Sequence, residues 1–425
     1  MSEINRKVAP EVNVIEHVTL PTIEKVTLDN SIKLFGIPDR ESEVVKFELV
    51  FKAGKWYETK NLVAGLAARM MREGTTERNG KQLADFFDYY GSNFSIDSGQ
   101  ETALIKLNCL SKDFVRQLPV VFEALTQSVF PEQELNTIVA VRKQNLAVAL
   151  EKNDFISNRW FSQALWGKNH PFGRVTNMED FDQVSVEDLK LFTKSFFNSE
   201  NCFVILAGNY NQEIISEINN IFGQKNWLGS SALEIDYPIV ASLEKSLHID
   251  KAGSVQSAIQ LGNITIGKAD SEFIDFSVAN TIFGGYFGSR LMANIREEKG
   301  YTYGIHSMIV SSPHGSYLEI SSEVGKDVCA ATFAEIEKEV RLMHTELVDE
   351  EELETVKNYL SGRILRSVDG FDRFSGMLKM LLSTGQDENY IQESLTKIRN
   401  VTAESVLQVS QKHLDLEKMY RVDVG

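Results

Sequence analysis

The residues best suited to hold a metal or move a proton near neutral pH are seven histidines: His17, His170, His248, His306, His314, His344 and His413. Zinc held on a helix needs two imidazoles at i and i+4 on one face, with a carboxylate brought from elsewhere. No two of these histidines stand four residues apart, so this chain cannot build such a site. His306 and His314 share strand parity, but Pro313 interrupts the run between them. His170-Pro171-Phe172-Gly173-Arg174 has the composition of a turn whose imidazole holds a loop. Cys109, Cys202 and Cys329 are far apart and sit in apolar, strand-like contexts, as buried free thiols do. No nucleophile elbow, phosphate loop, dinucleotide fingerprint or Cys-x-x-Cys pair occurs. The nearest approach is Phe283-Gly284-Gly285-Tyr286-Phe287-Gly288-Ser289, which lies in an apolar helical pattern and lacks the Lys-Ser/Thr ending of a nucleotide loop. Its glycines permit close backbone approach, either to a neighbouring element or to an extended peptide, so Gly284, Gly285 and Gly288 are candidate substrate-binding positions.

The elements that must position these groups belong to an ordinary globular chain of 425 residues, 43% apolar and 24% charged. A net charge of −16 repels phosphate backbones and anionic lipid, which speaks against a nucleic acid partner. Met1–Lys7 is followed by no apolar h-region, and no stretch reaches the length of a membrane span, so the expectation is a cytoplasmic protein without membrane insertion. The chain reads as one unit written twice. Ile23-Glu24-Lys25 matches Leu243-Glu244-Lys245, and Glu132 to Leu135 match Glu350 to Leu353. Val184 to Glu187 match Val401 to Glu404, and Gly208 matches Gly425, with every offset between 217 and 220. The expected organisation is an N-terminal domain over 1–225, a linker over 226–239 and a C-terminal domain over 240–425. Alternation predicts strands at 45–52 and 102–109, and helical spacing covers 61–72, 112–127, 131–152 and 186–197. Strands and helices interleave without regular βαβ alternation, which predicts α+β domains, each a largely antiparallel sheet with helices packed on one face.

Three groups of residues, in this order, resemble the insulinase/pitrilysin family of zinc peptidases, and most of all its mitochondrial-processing-peptidase-like branch. They are Asn61 to Thr75, then His170 to Arg174, then Ser289-Arg290-Leu291 followed by Arg296 to Tyr303. The resemblance spans both halves and implies a half-clamshell. Active members carry His-x-x-Glu-His just before the Gly-Thr that resembles Gly74-Thr75. Its slots here fall at Gly65, Ala68 and Arg69, so every position for a ligand or for the water-activating Glu is blank. Glu134 lies near the expected place of the third, carboxylate ligand.

The resemblance implies a different role for the second half. Arg296 would end a helix, Gly300 would turn, and Tyr303 would begin a strand whose inward set is Tyr303, Ile305, Ser307 and Ile309. That resembles the Arg/Tyr pair, seven residues apart, with which the non-zinc subunit of two-chain members donates hydrogen bonds to the scissile carbonyl. The plainer alternative is an arginine paired with Glu297 or Glu298 and a tyrosine packed in a core. The function implied is a catalytically incomplete subunit, inactive alone and free of cofactor. Its partner would be a homologous chain carrying the zinc, and the substrate an unfolded peptide. The rival is a structural core-type subunit without proteolysis.

Overall fold

The computed structural model describes residue 15 and residues 17–229 and 235–425; Met1–Lys7 and the middle of the expected linker, 230–234, lie outside these. The first sheet comprises β1 (Glu24–Thr27), β2 (Lys33–Pro38), β3 (Val44–Phe51), β4 (Asn93–Ser98), β5 (Ala103–Leu110) and β6 (Cys202–Gly208). Its spatial order is β1-β2-β6-β3-β5-β4. The second comprises β7 (Ser246–Ile249), β8 (Gln256–Thr265), β9 (Thr302–Ser312), β10 (Gly315–Gly325) and β11 (Tyr420–Val424), in the order β7-β11-β8-β10-β9. One pair in each sheet is parallel, β2 with β6 and β7 with β11, and the rest are antiparallel.

Helices α1 (Val63–Met70) and α2 (Gly80–Tyr89) separate β3 from β4. Helices α3 (Ser111–Thr126), α4 (Glu132–Ala149), α5 (Asn153–Trp166) and α6 (Val186–Phe196) lead from β5 to β6, and α7 (Gln212–Ile218) follows. In the second half α8 (Phe273–Asn280) and two wider-wound stretches, 281–285 and 292–298, separate β8 from β9. Helices α9 (Cys329–Thr345), α10 (Glu350–Ser367), α11 (Gly370–Ser383), α12 (Asn389–Asn400) and α13 (Ala403–His413) then lead to β11.

The series β2-β6-β3-β5-β4 and β7-β11-β8-β10-β9 have the same pairing directions, so the two halves are the same unit. Three of the sequence landmarks fall at equivalent places. Glu132 and Glu350 open α4 and α10, and Gly208 and Gly425 close the two last strands. Ser185 and Thr402 form capping boxes for α6 and α13 through the backbone of Asp188 and Ser405. The fourth landmark is misaligned: Ile23 leads into β1, which has no counterpart in the second sheet, whereas Leu243 precedes β7, whose counterpart is β2.

Alternation along β3 sends Val45, Phe47, Leu49 and Phe51 into a core with Phe114, Leu118 and Leu189 from the helices of the same half and Phe197 just after α6. The opposite face, carrying Lys46, Glu48 and Val50, is not left to solvent. Helix α11 of the second half crosses it, packing Phe374 and Leu378 against Val50 and Ile205. The exchange is reciprocal: Phe161, Leu165 and Trp166 of α5 cover Tyr420, Val422 and Val424 of the second sheet. Each half therefore closes the other's sheet, and neither half's apolar burial is complete by itself.

Two ion pairs join β3 to α11 among the described residues: an exposed one between Lys46 and Asp372, at 2.9 Å, and a buried one. Glu48 is 1% exposed, and both of its carboxylate oxygens accept from Lys379 Nζ of α11, at 2.8 and 2.9 Å. Removing one partner of a buried pair leaves an uncompensated charge, with a typical cost of about 3 kcal/mol. Lys379→Met should lower the unfolding free energy by about that much, and Glu48→Gln/Lys379→Met should recover most of the loss, in urea denaturation of the whole chain.

Candidate functional site

The His170–Arg174 turn and α1 are physically joined. Glu58, almost wholly buried, accepts from the backbone N–H of Ala64 at 3.0 Å and so caps the start of α1. Arg174 Nη2 donates to Glu58 Oε1 at 3.2 Å, and its guanidinium also reaches the carbonyls of Lys55 and Glu58. Burial nevertheless pushes the Glu58 carboxyl above its ordinary range, against the opposing effects of the Ala64 N–H and Arg174. His170 Nδ1 accepts from the Phe172 N–H at 3.1 Å, which holds the turn, and its ring stacks on Trp166 at 4.9 Å between centroids. Burial, and then His314, lower its pKa, so the imidazole is kept neutral as a structural element. His314, from the β9–β10 turn, stacks on Trp56 at 3.8 Å, so an aromatic seam joins the two halves beside α1.

At the three slots on α1 the structure offers a cationic surface. Gly65 has no side chain, and its carbonyl accepts from Arg142 Nη2 of α4 at 3.1 Å. A Cβ at Gly65 would lie 3.3 Å from Arg142 Nη1, so a ligand side chain there would start in tight contact with the guanidinium. Ala68 is buried. Arg69 pairs with Glu73 at 2.8 Å. Burial, and then repulsion from Arg69, lower the pKa of Arg142. These groups do not fit zinc, because two guanidiniums and a methyl stand where electron-pair donors are required. Glu134 does not approach either. It lies in the first turn of α4, eight residues before Arg142. At ~1.5 Å per residue that places it about 12 Å away along the axis, so the residue of α4 that faces the slot is Arg142. Among the described residues no three His, Cys, Asp or Glu side chains converge as a metal site. The three cysteines are free; burial pushes Cys109 up to about 12 and raises the other two, so none is a ready thiolate.

In the second half Arg296 lies in the last turn of the 292–298 stretch, which continues through Glu298, and its guanidinium lies over the Phe287 ring at 4.7 Å from the centroid. Its contact with Glu297 is loose, at 3.8 Å. Gly300 turns the chain in the left-handed region, at φ 68°, where a side chain would be strained. Tyr303 is 93% exposed, whereas Ile305 and Ser307 are buried against the helix layer. The expected inward set is therefore split. On β9 the pairing runs from Thr302 to Ile305 while β10 advances only from Val324 to Ser322, and this bulge turns Tyr303 out of the alternation. Tyr303 instead borders an open groove of about 500 Å³ with His306, Ser321, Glu319, Glu323 and Asp154. His306 Nε2 is hydrogen-bonded to Ser321 Oγ at 3.0 Å. Among the described residues, Asp154, Glu319 and Glu323 border this groove and no Lys or Arg does, and burial raises the pKa of Glu319. No hydrogen bond joins Arg296 to Tyr303 among the described residues.

The glycine run divides. Gly284 is buried, and a Cβ there would come within 2.7 Å of Ser307, so close packing on β9 explains the residue. Gly285 is half-buried, and Gly288 is exposed beside Phe287. Arg290, from the next word of the sequence, makes a two-point pair with Glu352 at 3.1 and 2.7 Å that fastens this run to α10. Neither Arg142 nor the bulge at Tyr303 was predicted. Nothing in α4 marks Arg142 as facing α1, and a bulge leaves no mark on an alternating pattern.

Comparison with known proteins gives matches along most of the chain. The family Insulinase (Peptidase family M16) matches residues 37–171, and Peptidase M16 inactive domain matches residues 183–360. An uncharacterized zinc protease of Rickettsia felis is 24% identical over 81% of this chain and 82% of its own length. A non-peptidase homolog, YmxG, of Helicobacter pylori is 23% identical over 74% of this chain and 73% of its own. The crystal structure of a peptidase M16 inactive domain from Pseudomonas fluorescens superposes with a TM-score of 0.85 at 21% identity, covering 95% of this chain and 98% of that one.

Proposed function

Since this chain belongs to the insulinase-type M16 peptidase family and the zinc slots on its α1 are blank, we propose that it is the non-zinc subunit of a two-chain peptidase. A homologous partner supplies zinc and the activated water. This chain supplies Arg296 and Tyr303 as donors to the oxyanion that develops on the scissile carbonyl. The observation that carries the proposal is the 93% exposure of Tyr303, bulged out of its strand onto an open groove rather than packed in a core. A phenol so placed contributes nothing to packing and has its O–H free to meet a peptide from outside. The carboxylates of the groove suit unfolded peptides that carry basic residues. Gly285 and Gly288 can offer backbone groups to such a peptide. We place the division between the two units at 226–239 and the complex in the cytoplasm, and none of the helices described is long and apolar enough to cross a membrane.

Light scattering of this chain mixed with a homologous His-x-x-Glu-His chain tests the assembly. One-to-one complexes are expected. Two species that stay separate, with the zinc-bearing chain fully active alone, would favour the structural rival.

A further inference from the structure

Among the described residues, a cavity of about 830 Å³ lies in the second half between α8, β9 and helices α10 to α12; neither α1 nor Tyr303 lines it, and of the residues proposed to meet peptide only Gly285 borders it. Its volume is within the range of ligand pockets, ~300–1,000 Å³. Phe273, Ile274, Ile309, Leu360, Met377 and Ile391 give it apolar walls. Every charged group on it is a cation: Lys268, Arg363, Arg366 and Arg373 border it, and no carboxylate does, in a chain of net charge −16. Lys268 is the telling one. Its ammonium contacts the Met380 sulfur, and among the described residues no carboxylate lies within 4 Å of it. Burial lowers its pKa, so the charged form is held at a cost there that a bound anion would offset. Arg373 has an acid partner in Asp369, at 3.5 Å, but that pair stands in solvent at the rim.

We propose that this cavity binds a single-chain amphipathic carboxylate, its acyl chain along the apolar walls and its head at Lys268. The apolar walls disfavour a small inorganic anion, and an ammonium with a thioether but no carboxylate beside it favours an acid over a neutral hydrocarbon. The site also touches the fold's main tie. Met377 and Leu381 of α11 line the cavity, while Phe374 and Leu378 of the same helix pack on the first sheet. A ligand there braces the exchanged helix and should raise the melting temperature of the whole chain.

Isothermal titration of the full chain with laurate, below its micellar concentration, tests the proposal, with dodecanol as the uncharged control. One laurate per chain should bind, dodecanol should bind at least about 10-fold more weakly, and Lys268→Met should weaken laurate by about 10-fold or more. Absence of laurate binding, or equal binding of laurate and dodecanol by the natural chain, would overturn it. So would undiminished binding by a folded Lys268→Met variant. The comparison of laurate with dodecanol needs no variant, so it decides the matter even if Lys268→Met does not fold.

Discussion

Replacing Tyr303 by Phe, or Arg296 by Ala, in the assembled two-chain enzyme should lower kcat/KM by about 100-fold or more, since loss of one oxyanion donor typically costs 10²–10³ in rate. The melting temperature of the chain should barely move. Tyr303 is 93% exposed, so deleting its hydroxyl removes no packed atom. Arg296 contributes a cation–π contact with an exposed Phe287 and a loose pair with Glu297, each worth about 1 kcal/mol or less at the surface. The effect should appear mainly in kcat, because the hydrogen bonds strengthen as charge develops on the carbonyl oxygen. Variants that unfold readily and yet keep activity while folded would make the pair structural.

The second large effect concerns zinc. The chain as it stands should retain none after mild chelation. Installing only the imidazoles, as Gly65→His/Arg69→His, should not change that, because Arg142 still places its guanidinium over position 65. Adding Arg142→Glu replaces a cation by a carboxylate at the residue of α4 that faces the slot, and should give retention of about one zinc per chain. Elemental analysis after gel filtration measures both steps. Stoichiometric zinc in the unaltered chain would show that donors other than those on α1 converge on a metal, and the blank slots would then mean nothing.

Much of this was legible in the sequence where physics is local. The apolar spacing of Val63, Leu66, Ala67 and Met70 marks α1, and the Ser185 and Thr402 caps mark α6 and α13. The duplication could be read because equivalent elements need equivalent start and stop signals. What could not be read is which surface each apolar face meets. Lys46 and Glu48 look like the solvent side of an edge-on pattern, and only the exchange of α5 and α11 explains why Glu48 is buried against Lys379. Arg142 escaped for the same reason, being placed over Gly65 by the packing of α4 on α1 and not by any spacing along the chain. The bulge that frees Tyr303 depends on a mismatch between two strands, visible only once β9 and β10 are paired.

Peptide hydrolysis by a homologous His-x-x-Glu-His chain, measured with a quenched fluorescent unfolded peptide as this chain is titrated in, tests the central claim most directly. Each chain alone should be near background, activity should rise to a plateau at one to one, and the Tyr303→Phe chain should assemble equally well but leave the plateau about 100-fold lower. Full activity of the zinc-bearing chain by itself, unchanged by either form of this one, would contradict the claim.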